Sequence, residues 1–118
     1  MTEPITLYGI PNCDTVKKSR AWFDEHHRPY QFHDFKKQGV PVDLEVWAQQ
    51  VGWEALLNRK GTTWRKLDPQ VQARVTDAPS ALALMREQPS VIKRPVVQWP
   101  DGAITMGFDA ADWQTRLD

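Results

Sequence analysis

The pattern of apolar and polar positions divides the chain into strand–helix–strand, a long helical stretch, and two strands followed by a helix. Near the start, Ile5–Tyr8 is a β-prone apolar run closed by glycine and proline, which predicts a strand. Apolar residues then recur at helical spacing over 13–27, with Asn12 as the expected N-cap. Alternation over Tyr30–Phe35 predicts a second strand, because Pro29 ends the helix before it. Strand, helix and strand within about 30 residues indicate a βαβ unit with parallel strands.

The middle of the chain, residues 37–88, is predicted to be an all-helical insertion. A proline opens a helical pattern over Pro41–Val51. Further on, Asp68 and Asp77 each precede a proline-containing helix start and are expected N-caps. Between these helices, Arg59–Thr63 is predicted to be a basic, glycine-containing loop.

The end of the chain returns to β-structure. Val96–Trp99 and Ala103–Met106 flank Pro100-Asp101-Gly102, which predicts a hairpin, since glycine supplies positive φ and aspartate a local hydrogen bond. Asp109 is then the expected N-cap of a final helix that ends near Arg116. The order β-α-β, helices, β-β-α predicts an α/β fold and one domain over residues 1–118.

Charge and hydropathy argue against two classes of partner, nucleic acids and membranes. The chain has 15 basic and 15 acidic residues and no net charge, which gives no general electrostatic reason to bind nucleic acid or a membrane surface. It has no apolar run of about 18 residues that would span a bilayer, and its first residues lack the pattern of a secretory signal. We therefore expect a cytoplasmic monomer with no nucleic-acid or membrane partner.

The chain contains one cysteine, Cys13, so an internal disulfide is impossible. A cysteine-based metal site is not expected either, because the three histidines (26, 27 and 33) lack the usual ligand pairs. We expect no bound metal, and a reducing compartment is the default.

The surroundings of Cys13 point to a reactive thiol. At the first position of a helix it would meet the positive end of the helix dipole and unpaired N–H groups, which favour the thiolate. The adjacent Asp14 opposes this effect. The preceding loop, residues 9–12, has the geometry in which backbone N–H groups cradle an oxyanion. The alternative is a buried cysteine that packs as a small apolar side chain.

A second candidate feature is Arg94-Pro95, just before the predicted strand at Val96. A cis peptide bond here would form a tight turn and place Arg94 at the sheet end that also carries the Cys13 loop. The alternative is a trans proline beside a solvated arginine. Arg59 is the candidate cation of the middle loop that could close over this site, with a plain basic surface loop as its alternative.

Four motifs together resemble the arsenate reductase (ArsC) family, taken broadly to include the Spx and YffB branches, with YffB the closest. They are YGIPNCDTVKKS (8–19), LLNRKGTTWRKL (56–67), KRPVV (93–97) and MGFDAADW (106–113). The resemblance extends over essentially the whole chain. It implies a thioredoxin-like fold with a helical insertion.

The same resemblance implies a catalytic cysteine, an arginine before a cis-proline and a further arginine in the middle loop. These correspond to Cys13, Arg94 with Pro95, and Arg59. In arsenate reductases of this type the cysteine attacks arsenate held by arginines, and glutathione with glutaredoxin completes the reduction. Here no cofactor is expected to be bound, and glutathione is the expected co-substrate.

Departures from the family pattern bear on the substrate. Gly9 stands where the family has a histidine, Asn58 aligns with the middle arginine, and Gly107 with the third arginine. These changes remove much of the oxyanion clamp and argue against arsenate. The Spx pattern C-x-x-C is also absent, because Val16 stands at its second cysteine position.

Two functions follow as alternatives. The first is a glutathione-dependent thiol or disulfide reductase that acts on a small-molecule or protein thiol, with Asn12, Arg59, Arg94 and Pro95 binding the substrate or thiol. The second is a non-catalytic, Spx-like protein-binding regulator or adaptor. It would use tryptophans exposed among positions 47, 53 and 64, although aromatic residues more often fill the core.

Overall fold

The structure is a computed structural model that describes residues 4–117. Within them the chain forms four strands, eight α-helices and one short 3₁₀ helix. In chain order these are β1 (Ile5–Gly9), α1 (Asp14–Glu25), β2 (Tyr30–Asp34), α2 (Phe35–Gln38), α3 (Leu44–Val51), α4 (Trp53–Leu56), α5 (Thr62–Lys66), α6 (Pro69–Ala73), α7 (Ala78–Glu87), the 3₁₀ helix (Pro89–Val91), β3 (Val96–Gln98), β4 (Ile104–Met106) and α8 (Ala110–Leu117).

All four predicted strands are present and form one sheet in the order β2-β1-β3-β4. The β1 and β3 strands are antiparallel, with Leu7 opposite Val97, and β3 and β4 are antiparallel, with Val97 opposite Thr105. The predicted hairpin turn is confirmed, because the Gly102 N–H donates to the Trp99 carbonyl at 2.9 Å. Gly102 has φ +90°, the left-handed conformation that favours glycine.

The chain divides into two compact units. One contains Met1–His33 and Arg94–Asp118, and the other contains Asp34–Lys93. The second unit contains the helices predicted for the insertion over 37–88. The interpretation of residues 1–118 as a single domain remains a prediction.

In the first unit, α1 and α8 pack against one face of the sheet. The buried cluster here is mainly aromatic and β-branched, and consists of Ile5, Leu7, Val16, Trp22, Phe23, Val97, Trp99 and Trp113. Trp113 of α8 stacks on Phe23 of α1, with ring centroids 5.0 Å apart and planes 15° apart. The two helices are therefore joined through rings, a geometry that adds to the gain from burying their area.

One glycine fixes how closely α1 approaches the sheet. A Cβ atom at Gly9, the last residue of β1, would lie 2.8 Å from Cγ2 of Val16. Val16 is fully buried, so the strand end and the first turn of α1 come together only because Gly9 has no side chain.

The second unit is a set of short helices with well-formed caps. The predicted caps are confirmed: Asp68 accepts the Gln70 N–H at 2.8 Å, and Asp77 forms a capping box with Ser80. The chain closes on itself through an antiparallel bridge between Leu57 and Ile92. The segment that follows α4 therefore pairs with the segment that precedes β3.

Two short helices were missed and one helix starts late. The α2 helix follows Asp34, whose carboxylate accepts the N–H groups of Lys36 and Lys37. Alternation had extended the strand to Phe35, whereas β2 ends at Asp34 and Phe35 begins α2. The α5 helix lies partly in the predicted loop and has Gly61 as an N-cap without a side chain. The α3 helix begins at Leu44, because the residues from Pro41 form a separate turn.

No helix within residues 4–117 is both long enough and apolar enough to cross a membrane.

Candidate active site

Cys13 is the N-cap of α1. Its backbone is extended (φ −132°, ψ 125°), and its carbonyl accepts the Lys17 N–H at 2.9 Å. The predictions of Asn12 as N-cap and Cys13 as first helical residue were each wrong by one position. The reason is that the polar loop continues through Asn12, and the first helical hydrogen bond is accepted one residue later.

The N-cap position matters chemically because an N-cap side chain is the group that meets the free N–H groups of the first turn. Those groups belong to Thr15 and Val16 here. The Cys13 side chain makes no capping hydrogen bond. A thiolate at the same place would be a much better acceptor for them and would also gain from the helix dipole.

The Cys13 side chain is half-buried and packs against the buried cluster of the first unit. Its neighbours Asn12 and Asp14 are exposed. The thiol is therefore anchored on its apolar side and accessible on the other, which differs from the fully buried cysteine of the alternative reading.

A cation flanks the same helix start. Lys18 is exposed, and its Nζ lies 6.0 Å from the ring centroid of Phe108. Phe108 packs against the same buried cluster as Cys13 does. The Lys18 contact, at the outer limit of the cation–π range, therefore links the ammonium group to this cluster.

The peptide bond between Arg94 and Pro95 is cis, as the family resemblance implied. Pro95 is buried, and its carbonyl accepts the Gly107 N–H at 2.9 Å. Gly107 has φ +83°, and a Cβ atom there would meet no heavy atom within 4 Å. The proline is therefore tied to the end of β4 next to open space.

Strand register brings Cys13 and Pro95 to the same edge of the sheet. Tyr8 lies opposite Val96, so the end of β1 meets the beginning of β3. Cys13 follows the end of β1 by four residues, and Pro95 directly precedes β3. The predicted meeting of the cysteine loop and the proline turn at one sheet edge is therefore confirmed.

Arg94 is half-buried at this edge. Among residues 4–117, its guanidinium forms no ion pair with a carboxylate, whereas Arg116 pairs with Asp112 at 2.8 Å. An arginine without an acidic partner is free to bind an anion.

Arg59 belongs to the second unit. It is exposed, and its guanidinium carbon lies 5.7 Å from the ring centroid of Trp53 and 5.8 Å from that of Trp64. Both distances are in the cation–π range. Sequence reasoning found no signal in these tryptophans as partners of Arg59, because the two rings come from separate short helices.

The loop that carries Arg59 is ordered by its neighbours. The Asn58 N–H donates to the Val91 carbonyl at 2.7 Å, and the Asn58 side-chain oxygen accepts the Lys60 N–H at 3.2 Å. Asn58, which replaces an expected arginine, thus has a structural role in this loop.

Over residues 4–117, no three side chains of histidine, cysteine, aspartate or glutamate lie together in a way that would hold a metal ion.

The sequence model of the ArsC family matches residues 8–116, and the chain belongs to this family. A solved structure named YffB protein is 44% identical, covers 97% of this chain and 99% of its own, and superposes with a TM-score of 0.89. An uncharacterised protein of Haemophilus influenzae is 40% identical over 114 residues, which is 96% of this chain and 98% of that protein. The global transcriptional regulator Spx of Listeria innocua is 24% identical over 96 residues, covering 79% of this chain and 72% of Spx. The predicted thioredoxin-like α/β fold is confirmed.

Proposed function

We propose that this chain is a thiol reductase in which Cys13 is the nucleophile and glutathione is the external reductant. The observation that carries the proposal is the half-exposed thiol at the N-cap of α1, on the sheet edge that also carries cis-Pro95. Membership of the ArsC family supports a thiol-based reaction. Thiolate character at an accessible helix start is the usual basis of cysteine reactivity.

The reaction is written as thiol–disulfide exchange. The Cys13 thiolate attacks one sulfur of a substrate disulfide, forms a mixed disulfide and releases the other sulfur as a thiolate. A glutathione thiolate then attacks the Cys13 sulfur and releases the second substrate sulfur. A second glutathione attacks the sulfur of the bound glutathione, which regenerates the Cys13 thiolate and gives glutathione disulfide. An external thiol is required at both later steps, because the chain has no second cysteine.

Arg94 is proposed to bind a carboxylate of glutathione through charge-assisted hydrogen bonds, and the exposed Asn12 amide is proposed to contact its backbone. Pro95 would form the wall beside which the extended tripeptide lies. The binding of substrate or thiol by Arg59 remains a prediction. A cytoplasmic, reducing environment suits this cycle, and a monomer is sufficient for it.

Arsenate is not the proposed substrate. Gly9 has no room for any side chain, since Val16 fills the space that a Cβ would need. Gly107 stands where the family resemblance implies an arginine, and the space beside it is open. A site with fewer fixed cations is better suited to a sulfur electrophile than to a multiply charged oxyanion.

The test is reduction of hydroxyethyl disulfide by glutathione, coupled to glutathione reductase and NADPH. We expect turnover by the wild-type protein, loss of turnover in Cys13→Ser, and a single glutathione adduct on Cys13 in intact-mass spectra after exposure to glutathione disulfide. Turnover that persists in Cys13→Ser would overturn the proposal.

A second pair of variants tests the binding role of Arg94. Arg94→Gln should raise KM for glutathione about tenfold or more, since a charge-assisted hydrogen bond contributes about 1.5–3 kcal/mol, and Arg94→Lys should recover part of it. Arg116→Gln is the matched control, because Arg116 already pairs with Asp112. Equal KM values in Arg94→Gln and Arg116→Gln would contradict the role.

The alternative function is a non-catalytic adaptor, which the similarity to the regulator Spx favours. Of the three tryptophans expected to form its contact surface, Trp47 cannot take part, because it is 1% exposed and belongs to the core. Trp53 and Trp64 remain half-exposed beside Arg59. A protein partner that binds wild type and Cys13→Ser equally, together with absent turnover, would favour the adaptor.

A further inference from the structure

Phe108 lies at the same edge of the sheet as Cys13. Tyr8, Val96 and Met106 are opposite one another on β1, β3 and β4, so the ends of β1 and β4 meet the beginning of β3. Phe108 follows the end of β4 by two residues, and Cys13 follows the end of β1 by four. The helices that start here, α1 and α8, stack through their rings, so the two residues stand at the starts of neighbouring helices.

The Phe108 ring has contacts with both helices. It meets the Trp113 ring of α8 edge-on, with centroids 5.0 Å apart and planes 80° apart. The ammonium nitrogen of Lys18, in the second turn of α1, lies 6.0 Å from its centroid. The buried cluster against which Phe108 packs is also the one that Cys13 contacts. The ring is therefore a fixed part of the surface around the two helix starts.

The backbone before Phe108 connects it to the proline turn. The Gly107 N–H donates to the Pro95 carbonyl at 2.9 Å. Gly107 has φ +83°, and a Cβ atom there would meet no heavy atom within 4 Å other than those of its two neighbours in the chain. Open space therefore adjoins a residue that is bonded to Pro95 and directly precedes Phe108.

Phe108 differs in exposure from the rings of the cluster. Trp113 and Phe23 are fully buried, whereas Phe108 is half-buried and keeps part of its surface accessible. Cys13 is half-buried in the same way. An accessible apolar ring at the edge that carries a nucleophile offers contact area to an apolar group of a substrate.

We propose that Phe108 determines specificity at this site, and that Cys13 prefers mixed disulfides of glutathione with a thiol whose group next to the sulfur is aromatic or aliphatic. The inference rests on the proposed function of Cys13. The apolar group lies against the Phe108 ring, in the open space beside Gly107, and is removed from water there.

The bonds change as in the proposed cycle. The Cys13 thiolate bonds to the glutathione sulfur, the bond between the two substrate sulfurs breaks, and the apolar thiol leaves as its thiolate. A further glutathione then attacks the sulfur of the bound glutathione, which returns the Cys13 thiolate and gives glutathione disulfide. Phe108 acts in the first step, because the leaving thiol is the part of the substrate that it contacts.

The probes are the mixed disulfides of glutathione with phenylmethanethiol and with 2-mercaptoethanol. The rate constant for loss of the free Cys13 thiol is measured with each by intact-mass spectrometry. Each value is divided by the rate constant of free glutathione with the same probe, which removes the reactivity of the probe itself. We expect the corrected value to be about tenfold higher for the aromatic probe. A specificity ratio near one would overturn the proposal.

Phe108→Ala should lower this specificity ratio at least about threefold. Phe32→Ala is the matched control, because Phe32 is also half-buried, packs against the same cluster and has a cation over its ring, Arg20 at 4.4 Å, but belongs to β2. A general loss of stability changes both rate constants together and leaves the ratio unchanged. Equal ratios for the two variants would overturn the assignment.

A pair of glycine variants tests the open space and leaves the core intact. Asparagine tolerates positive φ, so Gly107→Asn places a polar side chain in that space. Gly102→Asn is its control, because Gly102 has φ +90° and equally open surroundings in the hairpin turn. We expect Gly107→Asn to lower the ratio about threefold and Gly102→Asn to keep the wild-type ratio. No difference between them would overturn the proposal.

The proposed function is judged separately, from turnover of hydroxyethyl disulfide by the wild-type protein. Absent turnover, with a specificity ratio that depends on Phe108, would overturn the reductase function and support this inference. Turnover with a ratio that does not depend on Phe108 would overturn this inference alone. Failure of Cys13 to react with either probe would overturn both.

Discussion

At the scale of single residues, the contact between Gly9 and Val16 sets the distance between β1 and α1. Gly9→Ala would place a methyl group 2.8 Å from a fully buried valine in a closely packed core. We expect a loss of about 1–3 kcal/mol in the free energy of unfolding, measured by urea denaturation.

Gly61→Ala is a matched control for this effect. Its added Cβ would also meet an atom at 2.8 Å, but that atom is the amide nitrogen at the end of the half-buried Asn58 side chain, which can move. We expect a smaller loss than for Gly9→Ala. Equal losses would mean that distance alone, and not the freedom of the neighbour, decides the cost.

Asp77 makes one helix cap sensitive to acid. The Ser80 hydroxyl donates to the Asp77 carboxylate at 2.7 Å and the Ser80 N–H at 3.0 Å, and these bonds hold the pKa of Asp77 below its ordinary value of 3.8. Since the folded pKa is lowered, the cap stabilises the fold fully above that ordinary value. The contribution is lost as the pH falls from there through the folded pKa.

The expected consequence is that Asp77→Asn flattens the pH dependence of stability at acid pH. Urea midpoints measured from neutral pH down to about pH 2 should fall less steeply for this variant than for wild type. Ser80→Ala should act in the same direction because it removes the hydroxyl donor. Parallel curves for wild type and Asp77→Asn would contradict the assignment.

At the scale of elements, α8 buries one side chain completely in the core. Trp113 is its buried residue, and its ring lies within 6 Å of several others, including Phe23 at 5.0 Å and Trp99 at 5.6 Å. Trp113→Ala should cost about 3–5 kcal/mol in the free energy of unfolding. Trp53→Ala, which removes the same atoms from a half-exposed site, should cost clearly less. A similar cost for both would mean that the ring cluster does not anchor α8.

Long elements and those with a distinct end signal could be predicted from the sequence, whereas the short helices α2 and α5 could not. The turn at Pro100–Gly102 and the cap at Asp77 could be predicted, because residues within each short segment form the hydrogen bonds that define it. By contrast, α5 has a glycine N-cap and only five residues, so its stability comes from contacts that the sequence does not display.

The candidate site shows the same division. The positions of Cys13 and Pro95 at the ends of strands could be predicted, because a strand before a polar loop and a proline before a strand are local patterns. The contact of the Arg59 guanidinium with the rings of Trp53 and Trp64 could not be predicted, because the three residues come from separate segments. The exact cap of α1 was missed by one residue, since Asn12 and Cys13 differ only in which carbonyl accepts the first helical bond.

At the scale of the whole molecule, the first unit is built from both ends of the chain and the second from its middle. The pairing of β1 with β3 closes a loop through residues 34–93. A disordered loop of that length would raise the entropic cost of this pairing, and the folded second unit, closed internally by the bridge between Leu57 and Ile92, lowers that cost.

We therefore expect cooperative unfolding of the two units. Each unit contains three tryptophans: 22, 99 and 113 in the first, and 47, 53 and 64 in the second. In a urea titration followed by NMR, the six indole N–H resonances should lose intensity with one common midpoint. Two midpoints, divided three and three, would show that the units unfold independently and that the chain is not a single domain.

The separation of β1 from β3 in the chain also has a consequence during synthesis on the ribosome. β1 ends at Gly9 and β3 begins at Val96, and translation at about 5–20 residues per second separates them by roughly 4 to 17 seconds. β2 can cover one side of β1 early, whereas the other side has no partner strand for this interval. A nascent chain with an apolar, unpaired strand edge is a target for chaperones and a hazard for aggregation, so the order of segments here makes newborn chains more vulnerable than finished ones.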